Sequence, residues 1–286
     1  MKKKQILALT GAACLSVALL AGCGNNNNSD TPSSTGDEGG NTSSLSGTVA
    51  TGGSTSMQSL MSMMQEAFMA ENQGVTVTYD PTGSGAGITG ASDGTLDIGL
   101  SSRALHDDET DVEAITVCLD GIAIVTNTAN PVENLTLEQL AGIFTGEITN
   151  WSEVGGNDAE IVVIGREAGS GTRDGFEEIV GVADQCQYDQ ELTATGAVTA
   201  AVAANENAIG YASLSAVDDT VNDPTVEGVV CSEETVQDGS YVLQRPFNFV
   251  VKKDAELSEA AQAFITWATD GSANEWILEA GCVPVA

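Results

Sequence analysis

The chain has 286 residues, 41 of them acidic against nine basic and one histidine, for a formal net charge of −32. So little positive charge excludes a nucleic-acid-binding protein, which must neutralise phosphates with Lys and Arg. It equally excludes electrostatic docking on anionic lipid headgroups, and most of the carboxylates are read as a solvated acidic surface.

Lys2, Lys3 and Lys4 precede an apolar run over 6–21, the charged and hydrophobic regions of a secretory signal. The run is shorter than the roughly 20 residues a spanning helix needs. It ends in Leu20-Ala21-Gly22-Cys23, which resembles the bacterial lipobox. That resemblance implies a signal peptide over 1–22, cleavage before Cys23, and a lipid anchor on Cys23 at the extracytoplasmic face of the cell membrane. Residues 23–46 are rich in Asn, Ser, Thr, Gly and Asp and hold no aromatic residue. Such a tract buries too little apolar surface to order itself and reads as a flexible tether. Loss of 1–22 leaves Arg103, Arg166, Arg173, Arg245, Lys252 and Lys253 as the basic residues. In a chain so short of cations, the three arginines inside Gly/Ser-rich segments (Arg103, Arg166, Arg173) look placed. Cys118, Cys186, Cys231 and Cys282 are compatible with two disulfides in an oxidising compartment or with four free thiols. With no CxxC and only His106 available, neither a metal site nor a cofactor is expected.

In chain order, a short strand over 47–50 leads to the cap-type residues Ser54, Thr55 and Ser56 and a helix to about residue 71, with Met57, Leu60, Met61, Met64 and Phe68 at helical spacing. That stripe reads as core. Strands over 75–79 and 96–100 flank a Gly-rich bend and a short helix. A long apolar strand over 115–126 follows, then a helix at 136–144, a strand at 161–164 and a helix opening at 169–172. A helix near 197–205, strands at 208–211 and 247–251, and helices over 258–269 and 273–279 complete the pattern. Strands alternating with helices predict α/β layers on a mainly parallel sheet. The ~240 residues after the tether suit one large or two smaller lobes. We read two lobes joined by extended crossovers near 117–128 and 241–251. Lobe 1 spans 47–127 and 245–286, and lobe 2, at 128–244, is an insertion within it.

Three segments combine glycine, hydroxyls and a helix start: Gly52 to Ser56, Thr82 to Gly87, and Arg166 to Arg173. Unpaired backbone donors and the helix dipole make each an anion site, and Arg166 adds a planar donor fork suited to phosphate oxygens. Gly85-Ala86-Gly87-Ile88-Thr89-Gly90 also matches GxGxxG, but an exported context and the lack of a second half-site argue against a dinucleotide. No lysine is placed for a P-loop.

From residue 47 onward the sequence resembles the phosphate-binding lipoproteins of the bacterial high-affinity phosphate ABC transporter. The resemblance rests on Gly53-Ser54-Thr55-Ser56, Gly83-Ser84-Gly85, the stretch from Leu96 to Arg103, Ile143 through Trp151, Arg166 through Arg173, and Ala208-Ile209-Gly210-Tyr211. It implies a two-lobe, type II-like periplasmic-binding-protein fold closing over phosphate in a cleft, and a non-enzymatic role in delivering it to permease and ATPase subunits. It implies ligand contacts from Thr55, Ser56, Ser84, Arg166, Ser170, Gly171 and Thr172, and places Ser102 where many members carry an Asp that accepts a hydrogen bond from a protonated oxygen of the ligand. A hydroxyl there lacks the charge that repels fully ionised sulfate. Binding of another tetrahedral oxyanion (sulfate, molybdate, tungstate) is the alternative. An exported phosphatase lacks support, because His106 and its neighbours Asp107 and Asp108 read as a solvated turn.

Overall fold

The computed structural model describes residues 45–285, which form one compact unit. The expected signal peptide, the expected lipid site Cys23 and all but the end of the expected tether lie outside the described residues. Among the described residues no helix is long and apolar enough to cross a membrane.

The first third of the unit comprises β1 (Ser46–Gly53), a 3-10 turn (Thr55–Met57), α1 (Gln58–Glu71), β2 (Gly74–Pro81), α2 (Ser84–Asp93), β3 (Ile98–Ser101) and β4 (Val112–Asn127). Next come β5 (Asn134–Leu135), α3 (Leu137–Phe144), β6 (Val162–Arg166), α4 (Gly171–Val180), β7 (Gln190–Leu192), α5 (Thr195–Ala203), β8 (Ala208–Ser213), β9 (Val221–Asn222) and β10 (Thr225–Val226). The chain ends with α6 (Glu233–Gln237), β11 (Gln244–Lys252), α7 (Glu259–Thr269), α8 (Asn274–Glu279) and β12 (Val283–Pro284).

A single path of hydrogen-bonded strands runs β2-β1-β3-β11-β4-β8-β6-β7, with β9 and β12 also on β4, and β5 pairs with β10 apart from it. The expected mainly parallel sheet is a mixed one. β1 runs parallel to β2 and β3, and β6 to β7 and β8. The long strands β4 and β11 run antiparallel to each other, β11 antiparallel to β3 and β4 to β8. The reversal has a topological cause, since both crossover strands thread between the two parallel sets and must oppose each other to return the chain.

Two main cores lie on either side of the crossovers. One gathers Val49, Leu60, Phe68, Leu100, Phe249 and Phe264 with other residues from before Leu119 and after Arg245. The other gathers Ile124, Phe144, Trp151, Phe176, Tyr211 and Leu243 from the intervening stretch. The stripe Met57, Leu60, Met61, Met64 and Phe68 is buried, as its spacing predicts. Phe68 meets Phe264 and Trp267 of α7 edge-on, at 5.1 and 5.5 Å between centroids. Two of the GxGxxG glycines serve packing, because a Cβ on Gly87 would stand 2.7 Å from the Gly52 carbonyl oxygen and one on Gly90 2.6 Å from Leu96 Cδ1. Only glycine lets α2 lie so close to β1.

The crossovers are pinned by charge. Register places Arg245 of β11 opposite Asp120 of β4. Arg245 donates to Asp120 Oδ2 from Nε (3.0 Å) and Nη2 (2.9 Å), and Ser213 Oγ donates to Oδ1 at 2.7 Å. Both residues are almost fully buried, at 1% and 3% exposure. Removing one partner of such a pair strands the other charge in a low dielectric, at roughly 3–5 kcal/mol. Asp120→Ala is therefore expected to lower unfolding free energy by about that amount, read in urea denaturation as a fall in midpoint with an unchanged slope.

Candidate anion-binding site

Three of the four arginines are neutralised by carboxylates. Arg103 grips Glu109 (2.7 Å) and Asp174 (2.9 Å), Arg173 binds Glu177 (2.8 Å) and Glu191 (3.0 Å), and Arg245 binds Asp120. Arg166, 1% exposed at the end of β6, has no ion-pair partner among the described residues. Its guanidinium donates instead to neutral acceptors in one short segment: Nε to the Leu192 carbonyl (3.0 Å), Nη2 to the Thr193 carbonyl (3.0 Å) and Nη1 to Thr195 Oγ1 (3.2 Å). These are three of the five N–H groups a guanidinium carries. Burial pushes the Arg166 pKa down, and the nearby Arg245 charge acts the same way. Behind it, the Arg166 backbone N–H donates to Tyr211 Oη at 3.2 Å. Tyr211 stacks on Phe176 of α4 with centroids 4.4 Å apart, so the arginine is held from a rigid core.

The hydroxyls named from sequence converge in front of this cation. Thr55 and Ser56 sit in the 3-10 turn that leads from β1 into α1. Ser56 Oγ lies 2.7 Å from Thr172 Oγ1 and 3.0 Å from Thr195 Oγ1, and Thr55 Oγ1 lies 3.2 Å from Thr195 Oγ1. Ser84 opens α2 and Ser102 follows β3; their oxygens are 3.2 Å apart, and the Ser102 N–H donates to Ser84 Oγ at 3.1 Å. Ser170 is the N-cap of α4, its oxygen accepting from the Arg173 N–H, and Gly171 begins the helix. Thr55, Ser56, Ser84, Ser102, Ser170 and Thr172 are all at most 6% exposed. Their two sources meet through backbone too, the Gly85 N–H donating to the Gly169 carbonyl at 3.0 Å. A side chain on Gly171 would collide with Ser84 Oγ and stand 2.8 Å from Ser102 Oγ.

Three helix N-termini (α1 through its leading turn, α2 and α4) thus bring hydroxyls and backbone donors to one buried place beside a cation without a counter-charge. That arrangement stabilises a compact polyoxyanion. Two details depart from the sequence reading. Gly52 and Gly53 belong to the end of β1, so the first loop shrinks to Ser54 and the turn. Arg173 turns to Glu177, Glu191 and the Arg166 carbonyl instead of joining the hydroxyls. Arg103 ties the segment after β3 to α4, and Arg245 Nη1 reaches the Ser102 carbonyl at 3.3 Å. Sequence reasoning missed Thr195, which contacts Thr55, Ser56 and Arg166. A signal was present, since Thr195-Gly196 repeats the hydroxyl-glycine grammar at the start of α5. Cys118, Cys186, Cys231 and Cys282 are free thiols.

An α/β fold of two cores around crossover strands, with such a site where they meet, defines a solute-binding protein of the periplasmic-binding class. The profile of the PBP superfamily domain matches residues 38–272. The phosphate-binding protein PstS of Bacillus subtilis is 31% identical over 258 residues, covering 85% of this chain and 81% of that protein. A Clostridium perfringens structure, described as a phosphate ABC transporter substrate-binding protein with bound phosphate, aligns at TM-score 0.79 and 39% identity, over 84% of this chain and all of that one. An ABC-type phosphate transport receptor from Vibrio cholerae aligns at TM-score 0.70 and 34% identity, over 83% of this chain. The chain belongs to the PBP superfamily and, within it, to the family of the PstS phosphate-binding proteins.

The close approach at Gly171 is testable without any ligand. Gly171→Ala forces the Ser84–Ser102 pair away from α4, an overpacking cost of about 1–3 kcal/mol. Gly196→Ala is the control, because nothing lies within 4 Å of its added methyl. Thermal denaturation is expected to fall for the first variant and stay put for the second.

Proposed function

We propose that the protein captures inorganic phosphate outside the cytoplasm and hands it to the permease and ATPase subunits of a phosphate ABC importer. The observation that carries this reading is Arg166, buried, un-neutralised and facing hydroxyls in a chain with 41 acidic side chains. Leaving a cation desolvated costs several kcal/mol unless an anion completes it. Carboxylates were abundant and none was placed there, so the counter-charge belongs to a ligand. The contacts are Arg166 and the hydroxyl or backbone donors of Thr55, Ser56, Ser84, Ser102, Ser170, Gly171 and Thr172. We assign lobe 1 to 47–127 and 245–286 and lobe 2 to 128–244, closing on the ligand between them. Such division accords with the two cores and with the Asp120–Arg245 pair at the crossing. The phosphate-binding and phosphate-transport relatives from B. subtilis, C. perfringens and V. cholerae support the ligand and the transporter role.

With Ser102 in place of a carboxylate, the alternative ligand is another tetrahedral oxyanion such as sulfate. Calorimetric titration of ligand-stripped protein with phosphate and then sulfate separates the two. Arg166→Ala is expected to weaken phosphate binding by at least about tenfold, since truncating a desolvated charge partner costs roughly 2–5 kcal/mol. Wild-type affinity in that variant would exclude the assigned role. The lipid anchor rests on sequence alone, and Cys23→Ser is expected to give uncleaved precursor or protein released from the membrane on fractionation.

A further inference from the structure

We infer that Thr195 is a specificity-determining residue: its side chain separates Arg166 and its hydroxyl cluster from an adjoining surface cavity and so restricts the ligand to a free oxyanion, excluding phosphate monoesters. This rests on the phosphate-binding reading above.

A threonine hydroxyl offers one hydrogen and two acceptor positions. On Thr195 all three are matched by neighbours, with Arg166 Nη1 donating at 3.2 Å, Ser56 Oγ at 3.0 Å and Thr55 Oγ1 at 3.2 Å. None is spent on capping. Thr195 is the first residue of α5, and Ala194 before it makes no side-chain cap. The hydroxyl therefore joins the turn before α1 to the segment that holds Arg166, as a wall rather than as a free donor.

On the far side of that wall lies a cavity of about 440 Å3, lined by Thr55, Ser56, Gln58, Ser59, Thr195 and Ser215 among others. Arg166 does not line it, although Thr195, which binds Arg166, does. Its lining carries no charged side chain, whereas four other surface cavities each include a carboxylate (Glu133, Glu66, Glu178 and Glu160 respectively). In so acidic a protein this is an approach that does not repel anions. The space is ample for a small esterified alcohol. What stands between it and the cation is the Thr55–Ser56–Thr195 cluster, and of these only Thr195 touches Arg166.

The test is calorimetric titration of ligand-stripped wild type, Thr195→Ser and Thr195→Gly with inorganic phosphate and with glycerol 3-phosphate, at mildly alkaline pH where both are dianions. Wild type and Thr195→Ser are expected to bind phosphate and to show no heat from the ester. Thr195→Gly should lose about two- to tenfold in phosphate affinity, the worth of one hydrogen bond, and gain measurable ester binding. That gain of affinity for a second ligand is a readout general loosening of the fold would not produce, and Thr195→Ser keeps the question answerable if the glycine variant misfolds. A wild type that binds phosphate and ester alike, a Thr195→Ser variant that admits the ester, or a folded Thr195→Gly that still excludes it would overturn the assignment while leaving phosphate binding intact. Wild type that binds no phosphate would instead overturn the functional reading, and this one with it.

Discussion

One uncompensated charge organises the molecule. The Arg166 guanidinium is desolvated, held by two carbonyls and a hydroxyl, and set among elements that supply three helix N-termini. Neutral acceptors fix its plane without cancelling its charge, a distinction that a carboxylate partner would erase. The remaining arginines show the contrast, each spent on joining parts of the fold. The acidic exterior does not undo this arrangement. At physiological salt, charges beyond about 8 Å are largely screened, while donors at contact distance in a low-dielectric pocket act at nearly full strength.

The crossover strands give the site its mechanical setting. The Asp120–Arg245 pair sits where β4 and β11 pass between the two cores, and the same arginine reaches the Ser102 carbonyl at 3.3 Å. One side chain thus ties the crossing to the segment carrying Ser102 and Arg103. On the other side of the site, Arg103 crosses to Asp174, three residues beyond Gly171. Two cations therefore frame the hydroxyl cluster, one at the crossing and one between β3 and α4. Each carries its counter-charge with it, so neither competes with Arg166 for an anion.

Most of the fold and much of the site were legible in the sequence because they depend on local grammar. Periodicity placed the Met57–Phe68 stripe in a core, and the glycine–hydroxyl segments marked the starts of α2 and α4. The scarcity of cations drew attention to Arg166. What stayed hidden depends on long-range pairing. The sequence marks the crossovers near 117–128 and 241–251, but nothing local shows the direction in which a strand pairs, so the antiparallel register of β4 and β11 stayed out of sight in an expected mainly parallel sheet. Arg173 carries the same motif as Arg166, and only the fold shows that Glu177 and Glu191 claim it. Thr195 escaped because its partners lie at positions 55, 56 and 166, distant in sequence from one another.

The division of the cores by chain position bears on how the protein gains its shape. The core holding Ile124, Phe144 and Tyr211 draws almost wholly on 122–243, whereas the other needs Val49 through Cys118 together with Phe247 through Cys282. A chain that emerges N-terminus first can collapse the former while the latter still waits for its last strands. Until β11 arrives, β3 exposes an unpaired edge, and the apolar face of α1 has neither Phe264 nor Trp267 to cover it. Because contacts of large sequence separation form slowly and exposed edges associate, this half-built state is the interval in which the newly made chain is most open to aggregation and proteolysis.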